Sequence, residues 1–194
     1  MAVPGHLTLA PEIEEFRRSF GQISADADAL VAPLTDEQFA WQPAPDAWSV
    51  GQCLDHLNAT ARNYLPVMDE GIAEAIRRGL YTAGPYTYNW VGRLFVYLVE
   101  PTTRIRAKAP RQFLPAAGRP RHDVLAAFRA YQVQYVDRLC QANGLDLARA
   151  RVSSPAARWL RIPLGSSLAL MVAHERRHLA QARRVIDAPG FPRQ

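Results

Sequence analysis

Two histidines four residues apart, His174 and His178, lie in the stretch LGSSLALMVAHERRHLAQARRVI, from Leu164 to Ile186. As a helix this stretch turns by about 100° per residue, which places the two rings about 40° apart on one face. Ser167, Met171, Gln181 and Val185 share that face. Leu164, Leu168, Leu179 and Ile186 widen its apolar arc, while Arg176 and Arg183 point the opposite way. Both imidazoles are therefore expected to face the interior. Such a pair is a ready bidentate metal site, and the plainer alternative is a pair of hydrogen-bonded core histidines. The stretch also spells H-E-x-x-H, in which a zinc protease would use Glu175 as general base. The completion of that motif is missing: Gln181 stands where a metzincin needs glycine, Arg184 where it needs histidine, and no glutamate follows His178. Any third ligand has to come from upstream.

The upstream candidate is His56, on a helix that begins with strong local chemistry. Ser49 and Gln52 form a capping box, and Trp48 is placed to staple onto Cys53 across the cap. Val50, Leu54, Leu57, Ala61, Tyr64, Met68 and Ile72 recur at helical spacing as a core stripe. His56 falls at the margin of that stripe, beside Cys53, Thr60 and Asn63, where a lone histidine is ordinarily half-exposed. Pro66 removes one intrahelical hydrogen bond and predicts a kink or an interruption further along.

The remaining elements follow from the same patterns. A first helix opens near Pro11 with Glu12, Glu14 and Glu15 at the positive end of its dipole. Its stripe is Ile13, Phe16, Phe20, Ile23, Ala27 and Leu30, and it ends before Pro33. A connector with a short turn over residues 35–40 follows. Residues 86–99 (YTYNWVGRLFVYLV) suggest a shorter, apolar helix stopped by Pro101. Arg104, Arg106, Lys108, Arg111, Arg119 and Arg121 then occur with no acid among them. They predict a solvated, proline-rich loop, with an anion-attracting lip over a pocket as the sharper alternative. A helix over 121–143, with Val124, Phe128, Tyr131, Tyr135 and Leu139 inward, stops at Gly144. His122 in its first turn and His6 in the N-terminal tail are expected in solvent and are not counted as ligands. The expectation is one all-α domain over residues 1–194: a four-helix bundle with long crossover connections and helices near 11–32, 49–78, 121–143 and 164–187.

Composition narrows the class of function. The 194 residues are 48% hydrophobic and 21% charged, in the ordinary range for a globular protein. No segment approaches a membrane span and the N-terminus carries no apolar signal region, so a cytoplasmic location is expected. Cys53 and Cys140 form no metal or redox spacing, which suits a reducing compartment. The net charge of +5 is almost all arginine and is scattered, so it argues for neither nucleic acid nor membrane. A small-molecule substrate is the expected partner, and a homodimer is an allowed assembly.

Four long helices with WSVGQCLDHL (Trp48 to Leu57) opening the second and AHERRHLAQARRV (Ala173 to Val185) in the last resemble the DinB-like (damage-inducible, YfiT-type) family of metal-dependent enzymes. The layout covers most of the chain, and the motifs about two dozen residues of it. The resemblance implies that His56, His174 and His178 are the metal ligands. Three neutral imidazoles leave an open position on a divalent ion, as catalytic sites do. Nickel, zinc and other first-row ions all accept histidine nitrogen. Gln52 and Gln181, each about one turn from a histidine, are candidates to support the ligands or orient a substrate. Glu175 is a candidate to orient an imidazole, to pair with an arginine or, last, to act as a base. Members of the family include thiol-dependent transferases and a mycothiol-dependent isomerase. By that resemblance the leading expectation is S-transfer from a low-molecular-weight thiol to a small electrophile, the thiolate being the nucleophile. Hydrolysis by metal-activated water and a non-catalytic metal- or ligand-binding bundle are the alternatives.

Overall fold

The computed structural model describes residues 8–82, 86 and 110–193. Four long helices, α1 (Pro11–Val31), α3 (Val50–Arg77), α4 (Arg121–Ala142) and α5 (Leu164–Ile186), form a bundle, and a five-residue helix α2 (Asp36–Ala40) lies in the first connection. Each helix arises from local signals. Both α2 and α3 begin with a complete capping box: Thr35 with Gln38, and Ser49 with Gln52. In the second box Ser49 Oγ accepts from the Gln52 backbone N–H at 3.1 Å and Gln52 Oε1 accepts from the Ser49 N–H at 2.9 Å. Helix α1 has no side-chain cap but starts with proline and acids, and the carbonyl of its last residue is met from outside. Arg121, the first residue of α4, donates to the carbonyls of Val31 and Leu34. Gly144 ends α4 with φ of 83°, a left-handed conformation that glycine adopts without steric penalty.

The core is the meeting of these helices' inner faces. All seven residues of the expected α3 stripe are buried. On α1 the buried face runs from Ile13 to Ala27 as expected but closes on Val31, with Leu30 only partly covered. On α4 Tyr131 is likewise only partly buried, and the neighbouring Gln132 is taken into the core instead. Phe20 and Tyr135 stack at 4.7 Å between ring centres and tie α1 to α4. Each large apolar side chain fully buried in this way contributes roughly 1.5–3 kcal/mol. The bundle is therefore held by its stripes, not by any one polar contact.

Helix α3 runs unbroken through Pro66. Pro66 and Arg62, whose carbonyl loses its partner, are both exposed, so water can take the place of the missing N–H.

The last connection holds an antiparallel hairpin that the sequence reading passed over. Strand β1 (Arg151–Ser154) pairs with β2 (Ala157–Pro163) in the register Val152↔Ile162, with an irregularity at Ser153/Ser154. Val152 is fully buried, and the Arg151 carbonyl lies only 2.6 Å from where a Cβ on Gly71 would sit. Glycine on α3 is what lets the hairpin dock there. Strand β2 runs directly into α5, whose N-cap is Pro163.

Residues 110–120 differ from the solvated loop expected of them. They include a single 3-10 turn (Arg111–Phe113), with Phe113 buried and stacked against Tyr64. Arg119 pairs with the buried Asp55, and Arg121, besides the carbonyls of Val31 and Leu34, meets Asp36 and the Phe39 ring. Those two cations are engaged within the protein rather than offered to an anion. Arg104, Arg106, Lys108 and all but the first residue of the helix expected over 86–99 lie outside the described residues. No helix among the described residues is long and apolar enough to cross a membrane.

Candidate metal centre

His56, in the second turn of α3, meets α5 at its middle. Its Nε2 faces Nε2 of His174 at 3.2 Å, and the three rings of His56, His174 and His178 lie 4.4 to 5.0 Å apart. One ring nitrogen from each falls within 4.8 Å of the other two. Far from being half-exposed, His56 is 4% accessible, because residues 110–120 cover the margin of α3 on which it sits.

Hydrogen bonding turns the lone pair of one ring inward. Nδ1 of His56 donates to the Phe113 carbonyl at 2.6 Å, so its Nε2 carries the lone pair and faces the other rings. Nδ1 of His174 and Nδ1 of His178 are buried without a hydrogen-bond partner among the described residues. Burial makes a charged imidazolium costly here, and each ring discourages its neighbours from protonating. The His174 pKa is accordingly pushed down to about 3 and that of His178 to about 2, desolvation being the larger cause and the neighbouring imidazoles the next. His56 moves the same way by desolvation, opposed by its bond to Phe113 and by Asp55.

Such a site fits a divalent transition ion. Two nitrogens each about 2.0–2.1 Å from one ion at a tetrahedral angle stand about 3.3–3.4 Å apart. The facing pair at 3.2 Å is close to that separation without rearrangement. Neutral rings and a tautomer fixed on one of them by a backbone carbonyl suit a nitrogen-donor site.

The other residues singled out in the sequence take up varied positions. Gln181 approaches His178 closely enough to oppose its pKa shift by hydrogen bonding. Gln52 is held at the start of α3, where its Oε1 accepts from Ser49 N and from Gln42 Nε2. Glu175 is buried as expected but turned toward α4, where Gln132 Nε2 donates to both carboxylate oxygens at 3.0 and 3.1 Å. Burial pushes this carboxyl up to about 8, opposed by its bond to the Gln132 amide. It does not join the three rings. His122 is exposed beside Asp123, and His6 lies outside the described residues.

Two further groups shape the site. Trp48, assigned to a hydrophobic staple, packs its ring 4.8 Å from His56 and 5.7 Å from His178, walling one side of the site. An aromatic one residue before the N-cap of a histidine-bearing helix was the available signal. The Phe113 carbonyl, 57 residues from His56, had no sequence signal.

A helical bundle with three neutral, convergent imidazoles at the inner margin of two helices defines a class of protein suited to holding one divalent ion. The DinB superfamily model matches residues 20–182, and the chain belongs to that superfamily. It is also similar in fold to YfiT from Bacillus subtilis, described as a probable metal-dependent hydrolase with an unusual four-helix bundle topology. That likeness covers 98% of this chain and 95% of YfiT, with a TM-score of 0.61 at 15% identity. No curated protein matches the chain.

Proposed function

We propose that this protein is a metal-dependent enzyme for a small substrate, with His56, His174 and His178 holding one divalent transition ion. The observation that carries the reading is the convergence of three neutral imidazoles, one with its tautomer set by a backbone carbonyl. An ion held there would act as a Lewis acid at its open position, favouring the deprotonated form of a thiol or water placed on it. The chain's own residues shape what that position accepts. Burial keeps protons off the rings, so their lone pairs stay available at neutral pH. Trp48 excludes water from one side. Glu175, the base of the H-E-x-x-H motif, is directed at Gln132, and among the described residues no carboxylate joins the rings to take a proton. A thiol, with an ordinary pKa of about 8.5, needs far less help to ionise than water does. S-transfer from a low-molecular-weight thiol to a small electrophile is therefore the leading reaction. Hydrolysis is the second reading, favoured by the description given to YfiT.

The test is to load the protein with cobalt and titrate it with small thiols while recording its absorption spectrum. A thiolate charge-transfer band that saturates with the thiol, with turnover of an electrophile panel, supports S-transfer. A silent titration with metal-dependent ester or amide cleavage selects hydrolysis. Failure to bind one ion per chain overturns both.

A further inference from the structure

His56 is fixed by a carbonyl in a segment that has little apolar anchorage of its own beyond it. After Phe113, Leu114 and residues 116–118 are exposed, so burial does not hold that part of the chain in place. What ties it to α3 is Asp55, the residue before His56. Asp55 Oδ2 accepts from the Ala116 N–H at 2.7 Å and Oδ1 accepts from Arg119 Nη1 at 2.8 Å. The carboxylate is almost wholly buried, and Arg119 is a third exposed. Asp55 and His56 thus grip one strap at two points, the Ala116 N–H and the Phe113 carbonyl. The 3-10 turn and the Asn63 bond to the Gln112 carbonyl hold the near side of the Phe113 peptide, and the Asp55 anchor three residues on holds the chain on its far side, so that together they fix the direction of its carbonyl.

We propose that Asp55 is a positioning residue for the site: with Arg119 it pins residues 113–119 so that the Phe113 carbonyl holds His56 in its Nδ1–H tautomer and aims Nε2 at His174 and His178. Its meaning for function rests on the metal reading above, but the positioning itself does not. The carboxylate is committed to the strap and stands apart from the ring cluster, so it acts through His56 and not as a ligand.

The experiment compares Asp55→Asn and Arg119→Gln with Arg138→Gln, which breaks the pair that Arg138 of α4 makes with another acid of α3, Asp69. Long-range proton–nitrogen NMR spectra of the metal-free protein report the His56 tautomer directly. Wild type and Arg138→Gln should show the Nδ1–H form alone, and both strap variants a mixture. Zinc dissociation constants from chelator competition should rise about tenfold or more in the strap variants and stay unchanged in the control. Arg119→Lys, which keeps the cation, should recover most of the loss. A single tautomer and unchanged zinc affinity in both strap variants, with melting lowered as in the control, would overturn the proposal. If wild type takes up no zinc, the metal reading fails and the tautomer comparison still decides the positioning claim. If Asp55→Asn does not fold, Arg119→Gln decides alone.

Discussion

Each of two histidines in the site has a buried acid as its sequence neighbour, and the two acids do unlike things. Asp55, before His56, meets a guanidinium and a backbone N–H. Glu175, after His174, meets the amide of Gln132 and, among the described residues, no cation. Adjacent residues on a helix point about 100° apart, so an acid beside an inward histidine faces a different wall from it. On α3 the strap wraps far enough to meet both Asp55 and His56, whereas on α5 Glu175 turns from the rings to the core face of α4. Spelling H-E-x-x-H therefore does not create a catalytic glutamate here, and the acid coupled to a ring is the one that no motif named.

The sharpest way to break this contrast is to remove a ring and not an acid. His178→Ala should lose bound metal and cut metal-dependent turnover at least about a thousandfold, or ~4 kcal/mol in the barrier. Its folding cost should be only about 1–3 kcal/mol, because the apolar stripes remain. Thermal melting with metal analysis checks both, as does chelation of wild type, which should leave a cooperative melt. Unfolding on chelation would make the ion a structural one instead.

Glu175 gives the next largest effect, and its sign follows from the direction of its shift. Its carboxyl is raised from 4.5 to about 8 on folding, so between those values the folded chain holds a proton that the unfolded chain has released. Stability from this group is full below about pH 4.5 and falls by about 1.4 kcal/mol per pH unit until the folded pKa is passed. From pH 4.5 to 7 that amounts to roughly 3 kcal/mol. Glu175→Gln, neutral throughout, should abolish the slope and be the more stable protein at pH 8. Urea melts of both proteins at pH 5 and pH 8 measure it. A parallel pH dependence in the two would show that Glu175 is not the group responsible.

The contrast also explains which parts were legible in the sequence. Periodicity and caps are local, so the four helices, the Ser49–Gln52 box and the Gly144 stop could be read directly. The ring trio could be read because two of its members share one helix face, and resemblance brought in the third. The hairpin was missed because its pattern is weak: β2 exposes Arg158, Trp159 and Arg161 and buries only its last two residues. Burial of His56 and its Phe113 partner depends on a strap whose place is set by a pairing 64 residues apart, between Asp55 and Arg119. No spacing rule encodes such a pairing.

Strap and control pairs should also differ in stability, and this is the smaller pair of effects. Arg119→Gln leaves Asp55, at 6% side-chain exposure, with only the Ala116 N–H, so a buried charge loses its cation. Because Arg119 itself reaches solvent, the cost should be about 1–2 kcal/mol and not the full penalty of an enclosed pair.

Arg138→Gln is the mildest change and the most informative control. Arg138 meets Asp69 through two guanidinium nitrogens at 2.7 and 2.9 Å, a better-formed pair by geometry than Asp55 with Arg119. Asp69 lies about four turns beyond Asp55 on α3. Yet the Asp69 side chain is 44% exposed, so water can replace the guanidinium once it is gone. Its loss should cost less than about 1 kcal/mol and shrink further in high salt. If Arg138→Gln proves as damaging as Arg119→Gln by urea melting in low salt, geometry and not burial sets the worth of these pairs. Asp55 would then stabilise α3 like any other ion-paired acid on it, and only the His56 tautomer would still separate the two.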